Sequence, residues 1–210
     1  MNIQTIIFDF GGVITDSPIE GFKKLEKSYG ISKGVISSIV MTNPDNNAWA
    51  KSERGEIDIK TFIDEFNLEA KKLGHNLNAK EILKQLYGPL RPLMVEKIAS
   101  LSKNYQLICL TNVLKGVHVF SPEERKKEVD HVLSFFDKIY ESCEIGMRKP
   151  EKRIYRYLLD DLKIKPENSV FLDDLGMNLK TAKLLGINTI KVIDPIAALK
   201  ELDNYLKIEN

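Results

Sequence analysis

Polar residues suited to phosphoryl chemistry stand at the ends of apolar runs throughout this sequence. One run closes in Asp9-Phe10-Gly11-Gly12-Val13, another in Leu110-Thr111-Asn112 and a third in Leu172-Asp173-Asp174, while Lys149 immediately precedes Pro150. A single Asp or Asn after an apolar run ordinarily caps the next helix. Taken together, these residues supply what a phosphoryl group needs: a point charge from Lys149, donors from Thr111 and the backbone amide of Asn112, and hard oxygen ligands for Mg²⁺ from Asp9, Asp173 and Asp174. A carboxylate such as Asp9 can also attack phosphorus and form an aspartyl-phosphate. Three clustered carboxylates repel one another, so the set calls for a divalent cation and Lys149 to keep them ionised.

These residues converge only if the apolar runs are strands of one sheet. The runs Ile3 to Phe8, Gln106 to Leu110, Lys138 to Tyr140, Val170 to Leu172 and Thr189 to Ile193 are short and β-branched, which predicts buried parallel strands. Helical patterns lie between the later ones, with Pro150 opening Glu151 to Leu162 and Asp194 capping the helix that Pro195 begins. Such alternation implies an α/β fold with a doubly wound, Rossmann-like parallel sheet, whose ligands bind outside the carboxyl ends of the strands. The interval from Ser17 to about Leu90 has helical periodicity and no convincing strand, and begins with the capping-box pattern Ser17-Pro18-Ile19-Glu20. The expected organisation is a core of residues 1–16 and 91–210 with an inserted all-helical cap over residues 17–90.

Composition narrows the function classes. With 31 basic and 30 acidic residues the chain has no global field for nucleic acid or an anionic membrane, so attraction to phosphate must be local. No apolar stretch reaches the roughly 20 residues that span a bilayer. Cys109 and Cys143 are too few for a disulfide framework and have no metal spacing with His75, His118 or His131, which predicts a reducing, cytoplasmic setting and no zinc. Ile208-Glu209-Asn210 is no targeting address. The expected partner is a small phosphate ester, with the chain a monomer or homodimer. The histidines read as surface residues, both cysteines as inert, Trp49 and Tyr87 as packing within the helical segment, and Glu123 to Glu128 as a solvated face after a Ser121-Pro122 helix start. Neither a dinucleotide fingerprint nor a Walker lysine is present.

The ordered motifs Asp9-Phe10-Gly11-Gly12-Val13, Thr111-Asn112, Lys149-Pro150 and Asp173-Asp174 resemble those of the haloacid dehalogenase-like (HAD-like) hydrolase superfamily, over nearly the whole chain. The segments Glu141 to Glu151 and Val170 to Lys180 are similar to a helical-cap subfamily that includes the N-terminal phosphatase domain of soluble epoxide hydrolase and the matching domain of an acyl-CoA dehydrogenase family member. Arg54-Gly55-Glu56-Ile57 resembles a cap motif of both. The resemblance implies Asp9 as nucleophile and Mg²⁺ ligand, Gly11 as a main-chain metal ligand, Thr111 and Asn112 on phosphate, and Asp174 as direct metal ligand. It places Lys149 between phosphate and Asp173, and Asn178 in support. The sequence departs from the family at Gly11, where most phosphatases of the superfamily carry the aspartate that protonates the leaving group. Loss of general acid catalysis is worth about 10²- to 10⁴-fold. Three readings follow: a Mg²⁺-dependent phosphatase, a weak or inactive binding descendant favoured by Gly11, and a metal-free alkyl-halide hydrolase, against which Asp173-Asp174 argues. Asp16 is the nearest carboxylate in sequence that could replace the missing acid.

Overall fold

A computed structural model describes residues 2–207; the C-terminal tripeptide discussed above lies outside the described residues. Five parallel strands form one sheet: β1 Thr5–Phe8, β2 Gln106–Thr111, β3 Lys138–Glu141, β4 Ser169–Asp173 and β5 Asn188–Lys191, in the order β3-β2-β1-β4-β5. β1 and β4 are buried at every position, which is why they read as continuous apolar runs without alternation. Strand bounds differ from the sequence expectation by a residue or two. Ile3 is buried but precedes β1, and β5 ends at Lys191 before the exposed Ile193.

The described helices are α1 Pro18–Ser28, α2 Val35–Met41, α3 Ala48–Glu53, α4 Ile59–Lys72, α5 Ala79–Lys84, α6 Pro92–Leu101, α7 Glu123–Leu133, α8 Ser142–Ile145, α9 Lys152–Leu162, α10 Gly176–Leu184 and α11 Pro195–Leu206. Two apolar layers cover the sheet. Ile6 and Phe8 of β1 pack with residues of α6, α7 and α11, whereas Ile7 packs with residues of α9 and α10. This is the doubly wound arrangement, because the side chains of a strand alternate between faces.

Helices α1 to α5 form the insert between β1 and β2, around an apolar cluster of Phe22, Ile36, Trp49, Phe62, Phe66 and Leu83 that also takes in Leu114 and Val117 from the loop after β2. Trp49 lies edge-on to Phe62 with ring centroids 5.7 Å apart, so it is a core residue of the insert. Asn47, Asp58 and Asn78 cap α3, α4 and α5 through their side chains, each such cap being worth typically about 1 kcal/mol. The two chain crossings run side by side: Asp16 N–H donates to the Pro89 carbonyl at 2.9 Å and Arg91 N–H to the Ile14 carbonyl at 2.8 Å, flanking an antiparallel Thr15–Leu90 bridge.

Two expected caps do not form. Ser17 occupies the N-cap of α1 and Pro18 follows, but the serine hydroxyl caps nothing and Glu20 pairs with Lys23 instead of reaching back. Pro122, with no side-chain donor or acceptor, is the N-cap of α7, displacing Ser121. Asp194 does cap α11, accepting from Ala197 N–H at 2.9 Å.

Side-chain packing against Leu114 and Val117 and several backbone contacts seat the insert against the sheet domain. Lys115 N–H donates to the Ser52 carbonyl at 3.2 Å, and Gly55, with φ of 70°, abuts Cys143 so closely that a Cβ there would stand 2.2 Å from the Cys143 carbonyl oxygen. Only glycine fits that contact and that backbone conformation.

Candidate active site

The topology decides where the polar strand ends meet. Successive strands leave β1 towards β2 and β3 on one side and towards β4 and β5 on the other, so the crevice of this sheet opens at the end of β1. Phe8 is in register with both Cys109 and Leu172, so Asp9, Leu110 and Asp173 follow at one level, with Thr111 one residue beyond.

Lys149 joins the set from the loop before α9. Its side chain is 1% exposed and its ammonium lies 2.8 Å from Asp9 Oδ1 and 2.8 Å from Asp173 Oδ2. Burial opposes its charge, but Asp173 and Asp9 outweigh burial and hold its pKa above the usual lysine value. Asp173 is fully engaged. It accepts from Leu175 N–H at 2.7 Å and from Asn178 Nδ2 at 3.1 and 3.0 Å, in addition to Lys149. Asn178 is held in turn, its carbonyl accepting from the Tyr155 hydroxyl at 3.0 Å.

Asp174 is different. Its carboxylate carries no hydrogen bond or ion pair to another of the described residues, yet it offers an oxygen within 4.8 Å of those of Asp9 and Asp173. The chain crosses directly beneath it at Gly12, with φ of 78°, where a Cβ would fall 2.3 Å from Asp174 Oδ2. Arg91 fixes this crossing by donating from Nη1 to the Gly12 carbonyl at 2.8 Å. No hydrogen bond from the described residues occupies the Gly11 carbonyl. Three carboxylates against one ammonium leave two negative charges, and all the side-chain donors are hard oxygens, so the residues present fit a Mg²⁺ ion. Burial raises the pKa of Asp9 against the pull of Lys149, with Asp173 adding to the rise, while burial followed by Asp173 pushes Asp174 up to about 6.

Thr111 lies at the end of β2, 9% exposed. The side chain of Asn112 is consumed in holding the next loop: Nδ2 donates to the Lys149 carbonyl at 2.9 Å and Oδ1 accepts from Lys149 N–H at 2.9 Å. Only its backbone amide is left for a ligand. Asp16 stands apart, exposed and paired with Arg91 at the crossing. Tyr87 is half-buried between the insert and the loop after β2, and Arg54 is tied to Glu56 and the Asp45 carbonyl. Burial pushes the Cys143 thiol up to about 11 and raises that of Cys109 further, which leaves both inert.

Three residues to which sequence reasoning assigned no role now stand around the set. Arg91 holds Gly12. Arg148 and Glu53 meet across 95 positions of sequence, Arg148 Nε donating to Glu53 Oε2. The only sequence signal for them is adjacency: Arg148 precedes Lys149, and Glu53 precedes the Arg54-Gly55-Glu56-Ile57 motif.

The chain is 33% identical over 216 residues to mouse acyl-CoA dehydrogenase family member 10 and 28% identical over 219 residues to mouse bifunctional epoxide hydrolase 2. Each alignment covers 97% of this chain, but only 19% and 39% of those longer proteins. It is also 26% identical to a D-ribitol-5-phosphate phosphatase of Bacteroides thetaiotaomicron, covering 90% of this chain and 91% of the relative. A HAD-like family hydrolase from Porphyromonas gingivalis superposes over 100% of both chains with a TM-score of 0.70 and 27% identity. A HAD-family enzyme of B. thetaiotaomicron, crystallised with magnesium and inorganic phosphate, gives 0.63 and 24% over 90% of this chain and 94% of that one. The haloacid dehalogenase-like hydrolase family model matches residues 3–186, and the chain belongs to that family of hydrolases.

Proposed function

We propose that the protein is a Mg²⁺-dependent phosphatase of small phosphorylated molecules, with Asp9 as nucleophile and the insert of residues 17–90 as a cap over the site. The observation that carries this reading is the buried Lys149 ammonium, 2.8 Å from both Asp9 and Asp173, beside an Asp174 carboxylate left free to bind metal. Magnesium and phosphate in a structural relative, and D-ribitol 5-phosphate in the name of a sequence relative, point the same way.

In this reading Asp9, Asp174 and the Gly11 carbonyl hold the ion, which when bound neutralises charge on the phosphoryl oxygens. Thr111, the Asn112 amide and Lys149 orient those oxygens. An Asp9 oxygen attacks phosphorus, the ester P–O bond breaks and its electron pair leaves with the alcohol oxygen, giving an aspartyl-phosphate. Attack by water forms a new P–O bond, breaks the bond to Asp9 and releases inorganic phosphate. Gly11 supplies no proton in the first step, so esters whose leaving groups depart as anions are favoured. The buried thiols fit a cytoplasmic setting. Release of phosphate from an activated aryl ester, with and without Mg²⁺, tests the proposal. Absence of release under both conditions leaves the binding-descendant reading, whereas chloride release from an alkyl halide in EDTA supports the metal-free alternative.

Two consequences concern the metal directly. Asp173 already accepts four contacts from three donors and Asp174 accepts none from another of the described residues, so Asp174→Ala is expected to weaken Mg²⁺ binding more than Asp173→Ala. Equal losses in titration calorimetry contradict the division. The ion binds only deprotonated carboxylates, and the Asp174 pKa is raised to about 6 in the metal-free protein. Below that value Mg²⁺ must displace a proton. Asp9, also a ligand in this reading, is raised further, to about 8, so apparent affinity is expected to rise with pH from about 6 to about 8, with proton release that shrinks only above that range; an affinity flat from pH 5 to 8 is inconsistent with these two carboxylates as ligands.

A further inference from the structure

Glu53 is the last residue of α3 and is buried where the insert meets the sheet domain. Its carboxylate is the only acidic group of the insert, among the described residues, that hydrogen-bonds the phosphate-site loops. Oε1 accepts from the Trp49 indole N–H at 3.0 Å, inside the insert core. Oε2 accepts from Asn112 Nδ2 at 3.3 Å and from Arg148 Nε, both on the sheet domain. Arg148 also reaches back to the insert, donating from Nη1 to the Pro44 carbonyl at 2.9 Å.

The consequence follows from what else Asn112 holds. The same Asn112 amide that donates to Glu53 clamps Lys149 by its backbone carbonyl and N–H, each at 2.9 Å, and Lys149 reaches Asp9 and Asp173. An unbroken path thus runs from the insert core through Trp49, Glu53 and Asn112 to the ammonium beside the nucleophile. Burying an anion costs several kcal/mol unless donors meet it, and here three do, which fits a group kept for orientation and not for exposure to substrate.

We propose that Glu53 is a positioning residue: it locks Asn112 and the Lys149 loop into reactive geometry when the insert is seated, so that occupancy of the phosphate site and seating of the insert depend on one another. This rests on the phosphatase reading. By linkage, whatever Glu53 contributes to binding or orienting phosphate, phosphate returns to the seating of the insert.

Glu53→Gln tests it, because the amide cannot replace the carboxylate. One end must present N–H groups either to the indole N–H or to Asn112 and Arg148. With an activated aryl phosphate and saturating Mg²⁺, kcat/KM is expected to fall by about 10- to 100-fold, the range for removing a partner that orients a site residue, through a raised KM as well as a lowered kcat because phosphate binding is itself coupled to the seating. Trp49, the only tryptophan in the chain, supplies a second readout. Mg²⁺ plus inorganic phosphate should shift its emission in the wild-type protein and leave it unchanged in Glu53→Gln. Arg148→Lys, which keeps the charge but loses the two-sided grip on Glu53 and Pro44, should reproduce both effects and serves if Glu53→Gln does not fold. Rates are compared well below each variant's melting temperature. Wild-type kcat/KM there, despite a lowered Tm, makes Glu53 purely structural and overturns the proposal, as does an emission response that survives. If the wild-type protein binds phosphate with Mg²⁺ but hydrolyses nothing, the phosphatase reading fails while the coupling is decided by phosphate affinity and emission alone. If it binds no phosphate, both fail.

Discussion

Asp9→Asn is expected to reduce turnover by at least about 10⁴-fold while leaving a folded protein, because the amide is neither a nucleophile for phosphorus nor a hard metal ligand. The fold should survive because Lys149, which loses one partner, keeps Asp173 at 2.8 Å. Stability should even benefit when metal is withheld. The folded pKa of Asp9 is raised above its ordinary 3.8, chiefly by burial, so the folded state holds a proton that the unfolded chain has lost. Ionised Asp9 therefore opposes folding, with a cost that is absent below pH 3.8 and grows as pH rises towards the folded value. In EDTA at neutral pH the variant should melt no lower than the wild-type protein. Residual activity above a tenth of wild type would remove Asp9 from the nucleophile's role, and a large fall in Tm would mean that the Lys149–Asp9 pair is structural.

Gly11→Asp is expected to accelerate hydrolysis of simple alkyl phosphates by up to the roughly 10²- to 10⁴-fold typical of general acid catalysis. An alkoxide leaves poorly without a proton, whereas a nitrophenolate or a carboxylate leaves readily as the anion. The wild-type rate should therefore depend steeply on leaving-group pKa, and the variant should flatten that dependence. Space is not the obstacle. A Cβ at Gly11 would meet only Pro18 Cγ, at 4.0 Å, and the backbone there is not in the left-handed region. Asp16, the nearest carboxylate in sequence, is exposed and paired with Arg91 in this structure. A shallow leaving-group dependence in the wild-type protein would mean that some other group already delivers the proton.

What the sequence made legible follows from locality. Asp9, Thr111 and Asp173 could be read because each closes an apolar run, and parallel strands deliver their carboxyl ends to one edge of a sheet. The order of those strands was not in the runs themselves; pairing of β1 with both β2 and β4 is a long-range choice that packing makes. Glu53 and Arg148 were invisible for the same reason, since nothing near either residue signals a partner 95 positions away. Asn112 illustrates a subtler limit. Its side chain could as well have served a ligand as a loop, and only the paired 2.9 Å bonds to Lys149 assign it to the loop. The Ser17-Pro18-Ile19-Glu20 pattern misled because a capping box needs Glu20 to turn back, and Lys23, one helical turn on, holds it outward.

The most direct test of the account is the covalent state of Asp9 during turnover. Wild-type protein mixed with an activated aryl phosphate and Mg²⁺, quenched rapidly in acid and examined by intact-protein and peptide mass spectrometry, should carry one phosphoryl group, on the peptide containing Asp9. Phosphorylation should vanish in EDTA and in Asp9→Asn. Release of phosphate with full Mg²⁺-dependence but no label at Asp9, or label that persists in Asp9→Asn, would contradict the assignment of this carboxylate as the group that attacks phosphorus.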